Sequence, residues 1–527
     1  MVNISKKQLL LLASLSLTAK AVPTVDRAAR QNMISLLLVV VLVAWSHRPN
    51  LLEAGLKTLL LEHGGPMLYA DGNREIPEWA EEQYPGNNLT RHDTMMLYSI
   101  NYPGTGPNAS SYYCTNVKNL AACMLGGGTS VNAAQQWWPP RHYIENTFKN
   151  FTGWTGNTFQ EAIQRVADRI PPTATWSSDG RYVHYYDQVY YLMGSVLKSI
   201  GITEVDTITD VNDKYDNYGR DVFAAQGGQR GGPLVGYLQD AKKLPNFTLK
   251  MNSPVTSVIR TGSKITGVEV NGTVISAKNV VLSAGVWNTP SILMKRMIGL
   301  STTVSGANLH DNPQTSITFQ YSNSSEIPFY SLSGALTGDV NKADADDLYL
   351  RRTGPLTSPG RELTGWIKVP YPNDASKSMT IQTICSRPTS VDGNFNCQFC
   401  LNEGLLSRGP WLTNSLDTEL YATALKRFID GANAYPGLNV TAPAALTTCP
   451  YYISYLNQNA KVSNNHWGGS CSLGLCVNED TLVHGTKTSM SSTVPLALHQ
   501  QLRTLPSCTS LSLNSLPTES SRSCATR

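Results

Sequence analysis

Five segments of this 527-residue chain combine residue types and spacings that could hold a ligand and move a proton. Leu56 to Pro66 is a short apolar run that ends in Glu62 and a Gly64-Gly65 turn. An acidic residue closing a buried strand can accept hydrogen bonds from ribose hydroxyls in a dinucleotide-binding unit. Ala122 to Asn132 sets Gly126, Gly127 and Gly128 before Thr129, Ser130 and Asn132. Glycines let the backbone approach a ligand closely, and the hydroxyl and amide groups supply hydrogen bonds. Lys278 to Leu293 reads as a buried strand, a small-residue turn at Ala284-Gly285 and a helix started by Pro290. Gly306 to Pro313 and Asn465-His466-Trp467-Gly468-Gly469 complete the set, and His466 is its candidate acid or base.

The surrounding composition is that of a loop-rich enzyme. Forty-two basic residues face 38 acidic ones, for a net charge of +4, so no broad cationic surface is available for nucleic acid. Charged residues make up 15% of the chain against about 25% in an average soluble domain, while 41 glycines and 29 prolines demand many turns. Lys6-Lys7, the apolar run Leu9 to Leu17 and Ala19-Lys20-Ala21 read as a secretory signal peptide over residues 1–21. Asn-x-Ser/Thr sites such as Asn88, Asn108, Asn246 and Asn439 agree with a secreted glycoprotein. Ten cysteines are expected mostly to form disulfides, and Cys397-Gln-Phe-Cys400 lacks the second pair a zinc site would need. No metal is expected. Met33 to Trp45 is apolar but shorter than the roughly 20 residues of a membrane helix, so it reads as a buried strand and a membrane partner is not expected.

Taken in order, the segments from Leu52 to Lys487 resemble the glucose-methanol-choline (GMC) family of FAD-dependent oxidoreductases, most closely the flavin domain of cellobiose dehydrogenase. The first family signature fits from Ala122 through Asn132 and departs at Gln136. The second fits at Gly285, Thr289, Pro290, Ile292, Leu293 and Gly299 and departs at Val286, Arg296 and Met297. The resemblance implies an α/β fold in which a Rossmann-like FAD domain is interleaved with an α+β substrate domain built on an antiparallel sheet. It places the FAD domain at 52–135, 230–315 and 462–487, and the substrate domain at 136–229 and 316–461. Glu62, Gly127, Gly128, Thr129, Asn132, Val255, Ala284 and Gly285 are its expected FAD contacts, with Val255 on the strand whose backbone touches the adenine.

The resemblance also implies the chemistry. His466 is the expected base, taking the hydroxyl proton of an alcohol or sugar while hydride passes to flavin, and an unperturbed pKa of about 6.5 suits that work. The stretch before Leu52 is too short for a cytochrome domain, so the expected electron acceptor is diffusible: dioxygen, a quinone or a separate redox protein.

One element is missing. A Rossmann-like unit needs Gly-x-Gly-x-x-Gly ahead of Glu62, and Met33 to Ala54 contains no glycine. Read out of frame, codons for Met33 onward permit an Asp-led strand with a Gly-Gly-Gly-Ala-Gly-Gly turn. Codons for Lys487 to Pro495 permit a second Val-Val-Asp strand, whereas 488–527 reads as an irregular Ser/Thr/Leu-rich tail. Two expectations follow: a secreted FAD-dependent alcohol or sugar oxidoreductase with shifted ends, or an inactive remnant serving at most as a binding or tethered protein.

Overall fold

The computed structural model describes residues 36–39 and 56–491, except 107, 118, 179–182, 213, 297–307, 332–333, 404–411, 444–447, 461–464 and 487–488. The leader at 1–21, most of Met33 to Trp45, Gly306 and the tail after Ser491 lie outside the described residues.

Two sheets organise the chain. The first is five-stranded and parallel throughout, in the order Ser489–Ser491, Val280–Leu282, Leu36–Val39, Thr58–Leu61 and Phe247–Lys250. Thr58, Leu59, Leu60 and Leu61 are all buried, as expected of a parallel strand covered on both faces. This sheet reaches outside the expected 52–487 span at both ends. Leu36–Val39 holds the centre and Ser489–Ser491 forms an edge, so the stretch read as an irregular tail begins with a strand. An antiparallel three-stranded ribbon, Val255–Thr261, Lys264–Val270 and Thr273–Ser276, packs into the same core through Val258, Ile265 and Val268.

The second sheet has seven strands, in the order Leu438–Ala442, Gln314–Tyr321, Asn394–Glu403, Asp374–Ser386, Arg361–Tyr371, Asn217–Arg220 and Thr203–Glu204. All pairs are antiparallel except the last. Alternation separates its two faces, with bulges that reset it, one of them between Arg361 and Leu363. Ile317, Phe319, Leu363, Ile367, Ile381, Phe395, Phe399 and Leu401 form one face, packed under the helices Gln188–Ser199 and Ser415–Asn433. The longer helix starts where the Asn414 side chain accepts a hydrogen bond from Leu416 N at 2.9 Å. Its Tyr421, Leu425, Phe428 and Ile429 recur at helical spacing and are fully buried. Cys385 and Cys397, opposite each other on neighbouring strands, form a disulfide inside this core. Cys400 is buried with its Sγ 3.9 Å from Gln314 Oε1, so the Cys397-x-x-Cys400 spacing marks one strand's two faces.

Candidate functional site

The chemistry-bearing segments meet at the carboxyl ends of the parallel strands. Glu62 follows Thr58–Leu61 directly and is almost completely buried. Its Oε1 accepts a hydrogen bond from Gly64 N at 2.8 Å, while buried Oε2 has no partner among the described residues. Burial pushes its carboxyl up to about 7, against the pull of the Gly64 and His63 backbone N–H groups. The Glu62 carbonyl accepts from Ser253 N at 2.8 Å, which brings the start of the Val255–Thr261 strand beside the acid. A Cβ at Gly64 would lie 1.9 Å from the Cys123 carbonyl, so only glycine lets this turn meet the next segment.

That next segment is the glycine-rich loop. Leu125 N donates to Gly65 O at 2.9 Å, and Gly126 and Gly127 both turn through left-handed backbone at φ 94° and 53°. A Cβ at Gly126 would meet Ser130 Oγ at 2.1 Å, whereas one at Gly128 would point into open space. The bend after residue 130 is fixed by Asn132, whose Oδ1 accepts from Ala134 N at 2.9 Å. Gln136, where the family signature departs, is buried and spends its Nε2 on Ile170 O at 3.1 Å.

Arg230 braces this loop from behind. Its Nη1 donates to Thr129 O and Asn132 Oδ1, both at 3.2 Å, and its Nε donates to His92 O at 3.0 Å. Burial lowers its guanidinium to about 10, which still leaves it charged at neutral pH. Burial, reinforced by Arg230 and Arg91, pushes the His92 imidazole down to about 3, so it stays neutral. Neither residue was expected from the sequence. The available signal was Gly227-Gly-Gln-Arg230-Gly-Gly232, a cation set between glycine pairs, where Gly228 and Gly232 have positive φ.

Ala284 and Gly285 lie between the Val280–Leu282 strand and the helix Gly285–Met294, with Gly285 at φ 79°. The helix starts at Gly285, and Pro290 sits inside it, which corrects the expected Pro-initiated start. The small-residue turn needs left-handed backbone that proline cannot adopt, and Pro290 removes only one early backbone donor. Arg296, another departure from the signature, donates to Glu269 Oε2 at 3.1 Å and so joins the helix end to the antiparallel ribbon.

His466 is held from two sides. Its backbone N donates to Asp311 Oδ1 at 2.9 Å, and its Nδ1 lies 3.0 Å from Asn312 Oδ1. His310 and Gly468 exchange backbone hydrogen bonds of 3.0 and 2.8 Å, which clamps the two segments in antiparallel fashion. Gly469, at φ 82°, passes so near Asn308 O that a Cβ would come within 2.0 Å. A Cys471–Cys476 disulfide closes the chain immediately afterwards. Trp467 packs on Trp287 with ring centroids 5.1 Å apart, tying the His466 turn to the helix that Gly285 begins.

These contacts link Glu62 and Val255 to the glycine-rich loop, and Gly285 to His466. The segment from Val40 to Ala54, which contains no glycine, lies outside the described residues. Among the described residues, the unsatisfied Glu62 Oε2 fits the ribose end of a dinucleotide cofactor.

Comparison with known proteins agrees with this geometry. Residues 107–314 match the GMC oxidoreductase family. A 5-(hydroxymethyl)furfural oxidase from Methylovorus sp. (strain MP688) is 27% identical over 272 residues, covering 48% of each chain. The glucose-methanol-choline family oxidoreductase mfmG of Annulohypoxylon moriforme is 24% identical over 302 residues, 51% of this chain and 48% of its own. The chain thus aligns with about half the length of these curated relatives. An FAD-dependent oxidoreductase from Chaetomium thermophilum superposes with a TM-score of 0.64 at 14% identity, covering 88% of this chain and 97% of that one.

Proposed function

From the match of residues 107–314 to the GMC oxidoreductase family, we propose that the chain is an FAD-dependent alcohol oxidoreductase of that family with His466 as base. The observation that carries the reading is the setting of His466, two residues before the clamp that Gly468 forms with His310 and tied through Trp467 to the helix beginning at Gly285. With Asn312 Oδ1 as acceptor, Nδ1 carries the ring proton and Nε2 carries the lone pair. Nε2 takes the hydroxyl proton of the alcohol, and the electron density left on oxygen weakens the adjacent C–H bond. FAD supplies the hydride acceptor. Glu62 Oε2 would accept from its ribose, Val255 would border the adenine, and Gly127, Gly128, Thr129 and Asn132 would line its approach to the Arg230-braced loop.

The substrate is a small alcohol of the aryl or furan kind, in line with the named activity of the Methylovorus relative. A cellobiose-like saccharide is the alternative that the sequence resemblance implies. The electron acceptor is diffusible. Three disulfides among the described residues favour an oxidising compartment, so the protein is proposed to be secreted.

A second reading rests on the glycine-free stretch from Val40 to Ala54. Without a pyrophosphate turn, the chain would hold FAD weakly and act at most as a binding protein. Visible flavin absorbance of the purified protein, with and without added FAD, separates the two. Dye-coupled turnover of hydroxymethylfurfural, benzyl alcohol and cellobiose then ranks substrates. A flavin-loaded protein that reduces no dye with any of them ends the oxidoreductase reading.

A further inference from the structure

The polar face of the seven-stranded sheet holds a guanidinium that the protein leaves partly unused. Arg361 starts its strand on that side, away from the aromatic core that packs under the helices. Its Nε donates to the Tyr98 hydroxyl at 3.2 Å and its Nη1 to Gln398 Oε1 at 2.7 Å. Its Nη2 makes no hydrogen bond to any described residue, and no carboxylate among them lies within ion-pair distance. Asp221, the acid that acts on Arg361 through space, is fully buried and already engaged: it accepts from the Gln135 side chain and from Val222 N at 3.0 Å. By surface area Arg361 is half-buried.

The position of Arg361 connects it to both halves of the site. On one side, Tyr98 belongs to the turn Met95–Asn101, which follows the His92–Asp93 segment that Arg230 ties to Thr129 and Asn132. On the other, Gln398 pairs with Ser316 on the strand that begins two residues after Asn312, the partner of His466. Gln314, Gln382, Thr364 and Trp366 on this face are neutral, while its other cations are engaged elsewhere, Lys368 over the Tyr215 ring and Lys214 over the Trp366 ring. Arg361 is the cation that stands beside Tyr98 and Gln398.

We propose that Arg361 is the substrate's carboxylate anchor, so that the preferred substrate is an alcohol whose far end carries a carboxylate. This rests on the oxidoreductase reading for its meaning and on binding for its test. A guanidinium edge backed by Tyr98 and Gln398 offers a charge-assisted hydrogen bond in a partly water-excluded setting. A neutral amide of the same shape would leave that donor imperfectly matched.

Isothermal titration with 4-(hydroxymethyl)benzoate and 4-(hydroxymethyl)benzamide tests it on the full-length protein. The wild type is expected to bind the carboxylate at least about tenfold more tightly than the amide. Arg361→Gln should remove that preference and Arg361→Lys should keep part of it. Gln398→Glu places a carboxylate against Arg361 and neutralises the guanidinium, so it should abolish the preference in a protein that melts like wild type. Equal wild-type affinity for the two probes, binding of neither, or a preference that survives Arg361→Gln and Gln398→Glu overturns the proposal. An Arg361-dependent preference in a flavin-loaded protein that oxidises neither probe would instead retain the anchor and remove the oxidoreductase reading.

Discussion

The two sheets carry chemistry in opposite ways. In the parallel sheet, the short strands Thr58–Leu61 and Val280–Leu282 are buried throughout, and the candidate groups they carry sit just past their ends: Glu62 after Leu61, Ala284 and Gly285 after Leu282. In the seven-stranded sheet, strands of up to 13 residues give one face to the core and the other to polar side chains. Its chemistry therefore lies across the strands: Thr364 and Gln398 both pair with Ile384, and Arg361 stands on the neighbouring Ser386 row. Strand-end groups are placed by the turn geometry that follows them, which is why glycine governs that half. Face groups are placed by pairing, which any β-compatible backbone supplies.

The largest effect is expected where the halves meet. His466→Ala should reduce turnover about 10²- to 10⁴-fold in flavin-loaded protein, the usual contribution of a positioned general base. Its unfolding midpoint should stay close to wild type, because the Asp311 contact is made by backbone N and survives the substitution. Stopped-flow flavin reduction measures the effect directly. A variant that reduces flavin at the wild-type rate would remove His466 from the chemistry.

Next comes a substitution that should touch only one region. Phe399 is fully buried, stacks edge-on against Phe428 at 4.8 Å, and presents its carbonyl to the Tyr421 hydroxyl at 2.7 Å. Phe399→Ala should cost about 3–5 kcal/mol in urea unfolding. FAD affinity, governed by the other sheet, should change little under native conditions. A large loss of affinity in folded protein would show that the sheets are not separable in this way.

Glu62 gives the parallel sheet its own signature in pH. Its carboxyl lies at about 7 in the folded chain and at 4.5 when unfolded. The folded state thus keeps a proton that the unfolded state has released, and stability falls as pH rises from about 5 towards 8. The difference is on the order of 3 kcal/mol for this one group. Glu62→Gln should flatten that part of the thermal melting profile in ligand-free protein. Asp221, raised to about 7 by burial, should leave a residual slope. The same variant should bind FAD about tenfold more weakly, as expected when an amide replaces the carboxyl acceptor at the ribose. An unchanged pH profile would mean that Glu62 does not stay protonated in the fold.

The division between strand ends and faces also explains what could be read from the sequence. Glu62, Gly126 to Asn132, Ala284-Gly285 and Asn465 to Gly469 are short contiguous strings, because one turn places each of them. The two-sheet α/β architecture was legible from the same strings through the family resemblance they carry. Arg361, Tyr98 and Gln398 lie 37 to 300 positions apart, and only register brings them together. No local pattern marks such a group. Arg230 sits between these cases: its flanking glycines were visible, but its partners Thr129 and His92 were about 100 and 138 residues away. The missing pyrophosphate glycines were evident in the sequence, and the chain still builds strands at Leu36–Val39 and Ser489–Ser491 on either side of the Val280–Leu282 strand. Hydrophobic strand content survives there while turn chemistry does not, because a parallel ladder asks only for extended apolar residues and the turn asks for glycine.

The smallest expected effects make the sharpest comparison, since they set one loop hydrogen-bonding position against one face position. Asn132 Oδ1 accepts from Ala134 N and Arg230 Nη1 at the end of the glycine-rich loop. Thr364 Oγ1, fully buried on the sheet face, accepts from Gln382 Nε2 at 3.2 Å. Asn132→Ala and Thr364→Val should each cost about 1–2 kcal/mol in unfolding free energy, because a buried donor loses an acceptor in both. Their functional consequences should differ. Arg230 keeps Thr129 O and His92 O in Asn132→Ala, so the loop stays folded but its bend is no longer fixed, and FAD affinity should fall severalfold. Thr364→Val conserves shape and disturbs only a face, so FAD affinity should remain while substrate KM rises modestly. If Thr364→Val weakened FAD as much as Asn132→Ala, position at a strand end would confer no special control over the cofactor, and the distinction between the sheets would collapse into general stability.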